Sequence, residues 1–221
     1  FLTQQGVEAP GQAQAIDVAR RSRVSVPLQT LIPDQDTLAV HVHARSGRLV
    51  AEQSVAFDGT NGLTGLSTSL GATGSAGSWT VPTGDGEAGA GATVALANFA
   101  GAGTRVSVHV VLDNGSALPT TRVSVPAMGV TPVPLSAIPS GGGYAVSARA
   151  GRGGAIVVQL LGTWAASTPG PGAVATLGST VAAQLVALNP SRQRRSLRLL
   201  VGAAGAITTC LLYTSPSPRD R

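Results

Sequence analysis

Apolar residues recur at every second position in several short runs of this chain, the period of a strand with one buried face. Val106, Val108 and Val110 share one face while Arg105, Ser107 and His109 take the other. Val40 and Val42 alternate in the same way with His41 and His43. Val94 with Leu96, Val123 with Val125, Val133 with Leu135, and Val146 with Ala148 predict further strands, and 49–55 and 156–161 are mostly apolar runs. Turn signals punctuate them: Asp58-Gly59-Thr60-Asn61-Gly62 follows one run, and Asp113-Asn114-Gly115 offers the dihedral freedom a tight hairpin demands. Residues 179–187 have helix propensity but match the strand at Val94, and no segment sustains a helical period. Short strands at spacings of about 10 to 15 residues predict an all-β chain built of antiparallel, immunoglobulin-like β-sandwich modules.

The strand pattern is written twice. Ile16-Asp17-Val18 falls on Val123-Ser124-Val125, and Val26-Pro27-Leu28 on Val133-Pro134-Leu135, at a spacing of 107 residues. One deletion resets the spacing to 106, at which Pro33 meets Pro139, Ala39-Val40 meets Ala145-Val146, Gly47 meets Gly153 and Gln53 meets Gln159. A rival register pairs Arg23-Val-Ser-Val-Pro27 with Arg122-Val-Ser-Val-Pro126 at 99 residues, but needs a seven-residue gap to recover the later matches. Independently, Thr93-Val-Ala-Leu-Ala-Asn98-Phe99 resembles Gln184-Leu-Val-Ala-Leu-Asn189-Pro190 at 91 residues, the difference lying in the connectors. Internal periods of this size mean tandem modules. The expected organisation is a partial first module over 1–55 and a Gly/Ser-rich connector with a packed tryptophan segment over 56–91. A complete second module over 92–183 and the start of a third over 184–209 follow. Both ends of the set are truncated.

Composition refines this picture at the ends. Residues 1–15 hold neither a basic start nor an apolar run, so no export signal is read there. Cys210-Leu-Leu-Tyr-Thr-Ser-Pro-Ser-Pro-Arg-Asp220 resembles a translated transposon-end sequencing adapter, so 210–221 is set aside as a non-native scar. That removes the single cysteine from any redox argument. The apolar run over 199–213 falls short of the roughly 20 residues a membrane span needs. All 15 basic residues are arginine, which reflects a G- and C-rich genome before it reflects a ligand. Aromatics at 3% and charges at 11% suit short strands and many turns, and with 43% apolar residues the chain is too apolar for disorder.

Candidate chemistry is weighed against this background. His41 and His43 would leave one strand face together as two zinc ligands, but a site needs three or four, and the repeat puts Ser147 and Arg149 at their places. Gly84-Asp85-Gly86-Glu87-Ala88-Gly89 satisfies a dinucleotide fingerprint, yet a strand follows it instead of a helix, and its carboxylates would repel a pyrophosphate. Asp85 with Glu87, or Asp34 with Asp36, lacks the loop spacing of a calcium hand. His109, Asp113 and Ser116 sit beside one hairpin turn, and no nucleophile elbow is present. Asn114-Gly115-Ser116 matches a glycosylation sequon that its turn role explains. Arg192, Arg194, Arg195 and Arg198 lack the interleaved aromatics of a nucleic-acid surface. No catalytic, cofactor-binding or metal residue is assigned.

The Trp79-x-Val81-Pro82 segment, the opening strands ending in Asn98-Phe99 and Asn189-Pro190, Val133-Pro134-Leu135, and Ala39-Val-x-Val-x-Ala-x-x-Gly47 with its looser second-copy match at 145–153 resemble a family of uncharacterised actinobacterial exported proteins with tandem Ala/Gly/Val-rich β-domains. The resemblance implies an extracytoplasmic, cell-surface location and no established activity. The expectation is a non-catalytic structural or interaction module of a cell-envelope protein, with an unknown envelope protein or glycan as partner, no nucleic acid and no membrane span. The alternative is a module binding polysaccharide or cell-wall glycan through Trp79, Trp164 and Tyr144.

Overall fold

The computed structural model describes residues 1–33, 35, 37–58, 64–85, 91–135, 138, 143–164 and 172–178. Among them ten strands form two sheets: β1 (Glu52–Asp58), β2 (Thr64–Leu70), β3 (Ser78–Asp85), β4 (Gly91–Asn98), β5 (Thr104–Leu112), β6 (Thr121–Val125), β7 (Gly129–Pro134), β8 (Gly143–Ala150), β9 (Val157–Trp164) and β10 (Gly172–Leu177). One sheet has the order β1-β2-β10-β9-β4-β7 and the other β3-β8-β5-β6. Every pairing is antiparallel except β2 with β10. The all-β sandwich is thus the fold of the described chain.

The valine alternation does what its period requires. Val106, Val108 and Val110 of β5 and Val146 and Ala148 of β8 face Val94 and Leu96 of β4 and Val158 and Leu160 of β9 in one core shared by both sheets. Each fully buried valine or leucine contributes about 1.5–3 kcal/mol of transfer free energy. Tyr144 lies in the same core at 7% exposure, and its burial raises the hydroxyl's pKa above the ordinary 10.0. The sign follows from linkage. Below pH 10 neither state ionises and nothing is lost; above it the unfolded tyrosine ionises first, so stability falls as pH rises towards the folded pKa. Thermal midpoints measured from pH 8 to 11.5 should decline less steeply in Tyr144→Phe than in the parent chain. Parallel declines would show that Tyr144 ionises freely in the folded state.

Edge strands are blunted by proline. Pro132 and Pro134 lie two apart on β7, so the same side of that strand lacks N–H donors and the six-stranded sheet ends there. Pro82 lies on β3, an edge of the other sheet.

Two pairs of positions matched in the sequence can be compared in the fold. Gln53 on β1 and Gln159 on β9, matched positions 106 residues apart, occupy one sheet, and Gln159 Nε2 donates to Gln53 Oε1 at 3.2 Å. Gly47 and Gly153, also matched, both hold left-handed backbone, with φ of +73° and +76°. Elsewhere the copies diverge. Val133-Pro134 closes β7, whereas Pro27 caps the helical turn α1 (Leu28–Leu31).

The strand expected at 40–43 does not form: Val40 and Val42 are 37% and 51% exposed. Its counterpart β8 is held between β3 and β5, whereas 40–43 has no flanking strand among the described residues. Alternation supplies a face; a strand also needs neighbours. The described residues of 1–51 instead form an irregular arm, pinned by backbone bonds between Leu2 and Ala39 at 2.8 and 3.0 Å.

The stretch read as connector, 56–91, holds the end of β1 with β2 and β3. Gly65-Leu-Ser-Thr-Ser-Leu-Gly71 on β2 answers Gly172-Ala-Val-Ala-Thr-Leu-Gly178 on β10 at a spacing of 107, a match hidden by low complexity. The third module expected from 184 and the scar expected at 210–221 lie outside the described residues.

Candidate functional site

The outward face of the four-stranded sheet carries exposed arginines on three adjoining strands. It originates in one string, Arg-Val-Ser-Val, which occurs at 105–108 on β5 and again at 122–125 on β6. The valines turn inward, so each arginine and serine turns outward. Antiparallel pairing sets Arg105 opposite Ser124 and Ser107 opposite Arg122. Reciprocal register therefore avoids placing arginines directly opposite each other, an arrangement that destabilises sheets.

β8 adds a third arginine on the other side of β5. Ser107 is opposite Arg149, and Arg149 is opposite Ser78 on β3. One row across the sheet thus reads Ser78, Arg149, Ser107, Arg122, and the next reads Thr80, Ser147, His109. Arg105, Arg122, Arg149, His109 and Ser124 are exposed, while Ser107, Ser147 and Thr80 are half-buried.

Among the described residues none of these three guanidinium groups has an ion-pair or hydrogen-bond partner. The carboxylate at the far end of β5, Asp113, is occupied elsewhere, its Oδ2 accepting the Gly143 N–H at 3.2 Å. Diagonal positions on adjacent strands lie about 7–8 Å apart, where like charges repel by about 0.5 kcal/mol in a water-like dielectric. Among the described residues the face is thus a set of guanidinium forks without carboxylate partners, set among hydroxyls. That chemistry suits carboxylate, phosphate or sulfate oxygens, which a guanidinium grips with two parallel N–H bonds.

The residues weighed from sequence are placed differently. His41 and His43 are exposed and outside any strand, and the His41 ring lies 5.4 Å from that of Phe99, tilted by 52°. No group of three potential metal ligands occurs among the described residues. Gly84 and Asp85 end β3 while 86–90, like Asp34 and Asp36, lie outside the described residues.

His109, Asp113 and Ser116 do not converge. His109 Nδ1 is 3.1 Å from Thr120 Oγ1, and Ser116 donates through N–H and Oγ to Asn114 Oδ1 at 2.9 and 2.6 Å. The latter pair makes Asn114 a turn-former. Arg192, Arg194, Arg195 and Arg198 lie outside the described residues. Trp79 and Tyr144, two of three aromatics considered as sugar platforms, are core residues at 3% and 7% exposure. Trp164 ends β9.

The arginine face itself was missed as a unit. Its signal was present: the same four-residue string in two successive strands, which only a register could bring side by side.

Comparison with known proteins adds the following. No curated protein matches the chain. A solved structure from Thermotoga maritima, its protein 1070, is similar at 17% identity and a TM-score of 0.40, over 47% of this chain and 93% of its own. The Anabaena sensory rhodopsin transducer is similar at 19% identity and a TM-score of 0.33, over 38% of this chain and 84% of its own. A family model matches residues 1–216, nearly the whole sequence, and the chain accordingly belongs to a family of unknown function, DUF5719.

Proposed function

We propose that this chain is a non-catalytic interaction module of an exported actinobacterial cell-envelope protein, and that the outward face of its four-stranded sheet is the contact surface. The observation that carries the reading is the register that collects Arg105, Arg122 and Arg149 on one exposed face without a neutralising partner among the described residues. Isolated surface charges are usually solvated and inconsequential. Three of one sign on adjoining strands cost repulsion that a bound anion relieves.

Cosedimentation of the purified chain with isolated actinobacterial cell envelopes tests the reading. Binding should fall at least about tenfold in the triple variant Arg105→Ser/Arg122→Ser/Arg149→Ser, as expected for the loss of some 1.4 kcal/mol or more. Equal cosedimentation of parent and variant would remove the face from the function.

A structural role is the second reading, favoured by a separate observation. The β1–β2 pair, which spans the end of the stretch expected as a first module and part of the stretch read as connector, continues the sheet of the second module through β2 and β10. Tandem immunoglobulin-like modules joined in this way would form a stiff spacer, since a shared sheet resists the hinge motion a free linker allows.

A further inference from the structure

The arrangement of the arginine face points to a more specific occupant: we infer that it binds a linear anionic polysaccharide whose carboxylates recur on alternate sugars. This rests on the reading of that face as a contact surface and adds the ligand's chemistry. Arg149 and Arg122 lie in one cross-strand row with Ser107 between them. They are two strand spacings apart, or about 9.5 Å. A pyranose ring advances an extended chain by a length comparable with one strand spacing, so acids on alternate rings meet alternate strands.

The intervening positions suit the sugars themselves. Ser78, Ser107 and Thr80, Ser147 supply hydroxyls that donate and accept, matching the hydroxyls of a glycan. Arg105, one row away, is diagonal to both Arg122 and Arg149 and can take an acid on a chain lying obliquely across the strands.

The same composition disfavours nucleic acid. Binding to single strands uses aromatic side chains on which bases stack, and the described residues of this face offer His109 alone, already beside Thr120 at 3.1 Å. Trp79 and Tyr144 belong to neighbouring strands but point into the core.

Isothermal titration of the full chain would use four probes: hyaluronan, neutral dextran, polyglutamate and an oligo-deoxythymidine. Two triple variants remove equal charge. Arg105→Ser/Arg122→Ser/Arg149→Ser empties the face, and Arg20→Ser/Arg21→Ser/Arg23→Ser empties an exposed stretch of the arm. All six sites are exposed, so both variants should fold with nearly parental stability. The expected result is hyaluronan binding that falls about a hundredfold in the face variant, stays within about twofold in the arm variant, and weakens with added salt, with no uptake of dextran.

Face-dependent binding of polyglutamate or the oligonucleotide without hyaluronan would overturn the glycan assignment while leaving the contact surface standing. Equal losses in the two variants would reduce the effect to net charge and overturn both readings. Failure to bind any of the four probes would overturn the glycan assignment.

Discussion

Replacing Asn98 with alanine should cost this protein about 3–4 kcal/mol, measured as the shift in urea-unfolding free energy. Asn98 ends β4 with its side chain fully buried. Its Nδ2 donates to the carbonyls of Ala102 and Pro126, both at 2.9 Å, and its Oδ1 accepts the Ala100 N–H at 3.0 Å. One amide therefore closes the β4–β5 turn and ties it to the β6–β7 turn, 28 residues further on. Alanine removes three hydrogen bonds worth about 1 kcal/mol each and empties the buried site of the amide, which adds a packing loss.

Asn98→Asp separates the donor from the acceptor contribution. It preserves size and the Oδ1 acceptor, but points a second acceptor at two carbonyls, so at neutral pH it should be at least as damaging as alanine. Lowering the pH should restore part of the loss, because the protonated acid donates one hydrogen bond. A cost below about 1 kcal/mol for Asn98→Ala would mean that the turns hold each other by packing alone.

This residue also shows how much could be read in advance. The sequence match of Asn98 with Asn189 marked the position, the alternating apolar positions located β4 to β8 and their inward faces, and the apolar run over 156–161 located β9. What the strings do not contain is partnership. Val40 and Val42 alternate as well as Val146 and Ala148 do, yet among the described residues only the second pair has strands on both sides. Conversely, β2 reads as linker, since Thr-Gly-Leu-Ser-Thr-Ser-Leu is polar and glycine-bearing, yet it is held by β1 and β10. Low hydrophobicity hides a strand whose faces are not both in the core: Leu66 and Leu70 are 69% and 61% exposed. The arginine face was hidden for the same reason, because its chemistry exists only across strands, in the pairing of Ser107 with Arg122 on one side and Arg149 on the other.

Trp79, by contrast, was legible as a packing residue, and the second large effect is expected there: Trp79→Ala should lower stability by about 3–5 kcal/mol. The tryptophan lies on β3, an edge strand, so its burial at 3% exposure is a large share of what fastens that edge to the core. Its indole N–H donates to the Ile156 carbonyl at 2.6 Å, next to the backbone bridge between Ala76 and Ile156. On another side the ring leaves no space at Gly178, where an added Cβ would sit 3.0 Å from Cε3 and 3.1 Å from Val81 Cγ2. Trp79→Phe keeps most of the apolar area and loses the N–H, so it should cost about 1.5–2.5 kcal/mol, between parent and alanine. Guanidinium unfolding combined with amide exchange of β3 reads both variants. If alanine costs no more than phenylalanine, the hydrogen bond to Ile156 carries the fastening. If phenylalanine is nearly neutral, packing carries it, and Gly178→Ala should then cost about 1–3 kcal/mol, because the ring and Val81 must yield to the added methyl.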